Sequence, residues 1–140
     1  MGRAVAATND LEPRAEWARY FCVMASGLLE NALPILYGDY VTRCANARVA
    51  RYANHQLGDI QNPKMNRFLE VARAFDQSWA IDLEAFALRD GGKEAIDGIM
   101  NIRHAVAHGK STGITIAQIT NYLEKAEAVL EFIENQLNVS

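Results

Sequence analysis

Cysteine and proline are scarce, with two of one and three of the other among 140 residues. Cys22 and Cys44 form neither a CxxC pair nor a spaced framework, so the sequence predicts reduced thiols in the core of a cytoplasmic protein, without disulfides. Residues Met1 to Asp10 lack the apolar core and cleavage site of a secretory leader, and this stretch is expected to be a flexible start. No apolar run approaches the roughly 20 residues that span a bilayer, which argues against a membrane role. No surplus of basic charge exists either: the formal net charge is −3. That argues against a broad electrostatic grip on nucleic acid, because such binding rests on many phosphate contacts. A local site for one or two phosphates stays open. Period-two alternation, internal repeats and low-complexity tracts are absent as well.

Helical periodicity is what the chain does have. Trp17, Phe21, Met24, Leu28 and Ile35 recur at three-, four- and seven-residue steps and predict a first helix from about Glu12 to Tyr37, kinked or ended early by Pro34. A second helix is expected over Asp39 to His55, with Val41, Ala45, Val49 and Tyr52 on one side and Arg43, Arg48, Arg51 and His55 on the other. Asn62-Pro63 reads as the start of a third, carrying Met65, Phe68, Ala72 and Phe75. Trp79, Leu83 and Phe86 mark a short helix broken at Asp90-Gly91-Gly92. The next runs from about Lys93 to Ala107 and is closed by Gly109. Thr115 and Gln118 form a capping box for the last, whose apolar face holds Ile116, Ile119, Leu123, Ala126, Leu130, Ile133 and Leu137. The expected fold is all-α: one domain over residues 11–140, an up-and-down bundle of four to five main helices.

On the Lys93–Ala107 helix, Ala95, Ile96, Ile99, Met100, Ile102 and Val106 share one apolar arc, and Arg103 falls inside it. An arginine there must find a partner or project into a cleft, since an unpaired buried charge is costly. One reading is a structural ion pair, with Glu30 as the candidate acid. The other is a functional cation. His104 and His108 lie four apart on one face. Helical HxxxH spacing can bind zinc, but the intervening Ala-Val-Ala lacks the glutamate of a metalloprotease helix and no third ligand is near, so no metal and no cofactor are expected. His108 stands at a helix C-terminus, where the macrodipole favours the imidazolium and suits proton transfer. Arg103 and His108 are separated by about 140° on an ideal helix, so they converge if the helix unwinds at His108, or if Arg103 reaches across a cleft or subunit boundary.

Here the chain resembles the HEPN domains, which carry an Arg, four to six residues, and a His near the end of a long helix. Arg103-His104-Ala-Val-Ala-His108 has that form, with His104 where Asn commonly follows the Arg. The flanking Ala107-His108-Gly109-Lys110, the Ile114-Thr115-Ile116 opening of a helix with Tyr122, and Glu30-Asn31-Ala32 are similar to the RiboL-PSP type. The resemblance implies a metal-independent endoribonuclease of phage defence, toxin or RNA-processing systems. It also implies a homodimer with two motifs in one composite cleft, and a cognate antitoxin or other operon partner. The antitoxin-regulated variety carries Tyr where Lys110 stands here. By the same resemblance Arg103 neutralises the scissile phosphate, His108 acts as general base or acid, and His104 contacts phosphate or ribose. Lys110 would form the rim, with Glu30 supporting the motif; the Arg48/Arg51 face reads first as a solvated helix face and second as part of that rim. The competing reading is a non-catalytic HEPN module that binds nucleotide, RNA or a protein partner.

Overall fold

A computed structural model describes residues 11–110 and 112–139, and within them the chain forms six helices and no strand. These are α1 (Leu11–Cys44), α2 (Ala47–Gly58), α3 (Met65–Phe75), α4 (Gln77–Arg89), α5 (Gly92–Ala107) and α6 (Ile116–Asn138). The expected flexible start at residues 1–10 lies outside the described residues. The all-α class holds, with six helices in place of four to five.

The main departure is in α1, which continues through Pro34 for 34 residues, about 50 Å at 1.5 Å per residue. It absorbs Asp39–Cys44, so α2 starts only at Ala47, behind an Asn46 cap that accepts the Val49 amide at 3.0 Å. Proline deprives the Glu30 carbonyl of its helical donor and costs about 3 kcal/mol in a helix interior. Leu33, Tyr37 and Val41, buried on either side of Pro34, offset that cost through core packing.

The buried face of α1 is also not the one its large residues mark. Ala18, Cys22, Ala25, Leu29, Leu33 and Tyr37 face the core, while Met24 is 56% exposed and Ile35 65%. Val49 and Tyr52 on α2 are exposed in the same way, and Ala50 and Leu57 are buried instead. Small residues on the core side let α1 lie close to α5 and α6, both of which pack along it. Over Glu16–Cys44, α1 is long and apolar enough to cross a membrane, which corrects the expectation that no segment is. Its buried face, however, is part of the protein's own core. Of the two cysteines, Cys22 is buried and Cys44 exposed, so only the first is a core thiol.

The α3–α4 hairpin closes the other side of α5 and α6, with Phe86 stacked on Phe132 at 4.6 Å between ring centroids. The start of α3 departs from expectation too. Asn62 adopts a left-handed φ of 47°, and helix begins at Met65. Its cap comes from another helix: Asp97 on α5 accepts the Met65 amide at 2.8 Å and pairs with Lys93 at 3.2 Å. That bond fixes the residue 59–64 segment against α5.

Candidate functional site

The C-terminal half of α5 lines a cleft of ≈ 360 Å³ with Met100, Asn101, Arg103, His104, Ala107 and His108, opposite Asn62 and Lys64. On an ideal helix the six α5 residues span an arc of about 160°. Arg103 stands near one edge, His108 near the other, and Met100, Ala107 and His104 lie between them.

The helix ends in a Schellman motif that sets the position of His108. Gly109, at φ 68°, turns the chain left-handed. Its amide donates to Val106 O at 3.0 Å, and the Lys110 amide donates to Ala105 O at 2.8 Å. His108 is the C-cap residue at φ −95°, ψ 14°, and its amide still donates to His104 O at 3.1 Å. Its ring meets that of His104 edge-on, 4.3 Å between centroids and 62° between planes. Both histidines are exposed. Among the described residues no group of three or more His, Cys, Asp or Glu side chains is placed to hold a metal ion.

Arg103 is half-buried beside Cys22 of α1. Burial pushes the Cys22 thiol up to about 11, while the Arg103 backbone amide and positive charge pull it the other way. The thiol donates to Ile99 O at 3.3 Å. Among the described residues Arg103 has neither an ion pair nor a side-chain hydrogen bond. The structural ion pair with Glu30 is therefore absent. Glu30 is half-buried on α1, eight residues past Cys22 and roughly 12 Å further along the helix. Lys110 is exposed beyond the Schellman turn and does not line the cleft. Arg48 and Arg51 are exposed on α2, also outside it.

The structure thus brings Arg103, His104 and His108 together and leaves Glu30 and Lys110 apart from them. It adds Lys64, Asn62 and Asn101, which sequence reasoning missed. Lys64 precedes the Met65 amide that Asp97 of α5 holds, a link across 32 residues that no local pattern reveals. The lining combines two permanent cations, two imidazoles and two amides, with no carboxylate. Such a surface is suited to a phosphate group: a guanidinium offers a forked donor, a lysine a point charge, and imidazoles can move protons.

A family model described as RiboL-PSP-HEPN matches residues 3–139. No curated protein and no solved structure matches the chain.

Proposed function

The chain belongs to the RiboL-PSP-HEPN family, and on that premise we propose that it is a metal-independent endoribonuclease acting at the α5 cleft. The observation that carries this reading is the half-buried Arg103 guanidinium, without an acidic partner among the described residues, in one cleft with two adjacent imidazoles. Arg103 neutralises the non-bridging oxygens of the scissile phosphate, and Lys64 adds a second positive charge. His108 takes the proton of the ribose 2′-hydroxyl as that oxygen attacks phosphorus. The bond to the 5′-oxygen breaks, and that oxygen takes a proton from an imidazolium. The products are a 2′,3′-cyclic phosphate and a free 5′-hydroxyl. His104, in ring contact with His108, holds phosphate or ribose.

The working form is a two-fold dimer that joins two such clefts. The apolar arc of α5 is largely covered by α1, α3, α4 and α6, so the dimer surface in this proposal is α1. There Tyr20, Val23, Met24 and Leu28 are exposed on the helix whose Cys22 lies against Arg103. The setting we propose is cytoplasmic, in phage defence, a toxin system or RNA processing, with a cognate antitoxin or other operon partner.

The test is cleavage of total RNA by the purified protein, with and without EDTA. Wild type should cut in both. His108→Ala should cut about 10²-fold more slowly or worse, the usual scale for acid–base groups. Arg103→Ala should abolish cleavage, and Arg103→Lys should restore little, because lysine lacks the forked grip. Alanine variants that cut like wild type remove the cleft from the mechanism. A wild type that binds RNA without cutting it makes the domain a binding module.

A further inference from the structure

A second concavity of ≈ 370 Å³ opens between α2 and α3, with Tyr52, Gln56, Leu57, Ile60, Val71 and Phe75 among its walls. That size is within the range of small-molecule pockets. Its walls are mostly apolar, and its polar side, the Arg67–Glu70 pair at 2.8 Å, is already satisfied. Tyr52 stands at its mouth, 69% exposed. Its ring face is open to a ligand.

Three observations connect this groove to the α5 cleft. The same short segment borders both, since Ile60 lines the groove while Asn62 and Lys64 line the cleft. Arg67 on the groove wall follows Lys64 on the cleft wall by one helical turn, about 5 Å of rise. The outer edge of α2 beside Tyr52 carries Arg48, Arg51 and His55, and the whole helix holds no acidic residue. Arg48 and Arg51 have no ion pair among the described residues. His55 is 4.0 Å from the Asp59 carboxylate. In a chain of net charge −3, Arg48, Arg51, Lys64 and Arg103 thus carry no ion pair among the described residues, and the apolar groove with its exposed ring is walled by the segment that leads to Lys64.

We propose that this is a track for single-stranded RNA. The strand leaves the cleft over residues 59–64 and seats one nucleobase in the α2/α3 groove against Tyr52. Its phosphates then pass along Arg48 and Arg51. The track rests on the RNA reading of the cleft. Base-on-aromatic stacking needs no particular sequence, so the groove supplies grip and position rather than a code.

The test uses a labelled single-stranded RNA of about 12 nucleotides, within the span that single-strand binding surfaces cover. Binding is followed by fluorescence anisotropy in a His108→Ala background, which slows turnover below the time of the measurement. Tyr52→Ala should weaken binding about tenfold, the scale of one stacked base, and Tyr52→Phe should restore it. The double change Arg48→Glu and Arg51→Glu should weaken binding further. It should also flatten the salt dependence by about 0.7 per lost phosphate contact. Tyr52 is exposed, so its substitution leaves the fold intact. Unchanged affinity in Tyr52→Ala overturns the track, as does a His108→Ala protein that binds no RNA. A dimer that falls apart in Tyr52→Ala while RNA binding persists would assign the groove to a second copy and also overturn it. Cleavage by the wild type is scored separately. RNA held through Tyr52 but never cut keeps the track and refutes the nuclease, and RNA cut without help from Tyr52 does the reverse.

Discussion

Asp97 ties the wall of the cleft to its floor, and removing it should cost both stability and substrate grip. Its Oδ1 accepts the Met65 amide at 2.8 Å and its Oδ2 meets Lys93 at 3.2 Å. Losing a carboxylate that caps a helix start costs about 0.5–2 kcal/mol. The Lys93 pair adds less, because the lysine is 45% exposed and solvent screens it, so about 0.5 kcal/mol is a fair share. Asp97→Ala should therefore lose about 2 kcal/mol. With an unfolding entropy near 2.1 cal/mol/K per residue, that is about 7 °C in Tm for a chain of this size. Lys93→Met removes only the ion pair and should shift Tm by about 2 °C. Asp97→Asn keeps an acceptor for Met65 and should fall between the two. Thermal unfolding followed by circular dichroism gives all three numbers. In the cleavage assay Asp97→Ala should raise KM more than it lowers kcat, since Lys64 loosens while His104 and His108 stay on α5. A loss in Asp97→Ala no larger than in Lys93→Met would refute the capping argument, and an unchanged KM would refute the role of Lys64.

Light scattering at tens of micromolar, a working range for modest interfaces, should show a dimer that Met24→Lys disrupts; a wild type that is only monomeric would refute the α1 interface. Thiol titration of the native protein at mild alkaline pH should find Cys44 fast and Cys22 slow, with the second thiol reacting fully only after denaturation. The folded protein holds the Cys22 proton more tightly than the unfolded chain does. That share of stability should therefore be complete below its ordinary value of 9.0 and be lost as pH rises toward about 11. Urea unfolding across that window checks it, and Cys22→Ser should flatten the profile.

Signals confined to a few neighbouring residues were legible in the sequence. Thr115 and Gln118 do exchange both capping-box bonds, at 3.0 and 3.1 Å, and Gly109 does close α5. Arg103, His104 and His108 share one cleft because all three stand at the C-terminal end of α5, and the family resemblance singled them out. What sequence missed depends on packing across the chain. Pro34 reads as a stop under local rules, and burial of Leu33 and Tyr37 overrides it. The α1 stripe was assigned to the wrong phase because the helix is apolar nearly all round. Side-chain size favoured Met24 and Leu28, whereas close helix packing selected Ala18, Cys22 and Ala25. Lys64 was invisible as a site residue because Asp97 brings it there from the side of another helix.

The long, doubly apolar α1 also has a consequence during synthesis. Of its three main partners only α2 follows at once; α5 and α6 are encoded far downstream, and α6 begins at Ile116, after α1 has ended at Cys44. At about 5–20 residues per second, the nascent chain would present α1 without its α6 cover for roughly 4–14 s before synthesis of α6 begins. Throughout that interval the side that packs on α6 and the Met24 side lack cover, in a segment apolar enough to pass for a membrane span. Chaperone capture of ribosome-bound intermediates should therefore peak before the last helix is translated, and a translational pause ahead of Ile116 should aggravate aggregation.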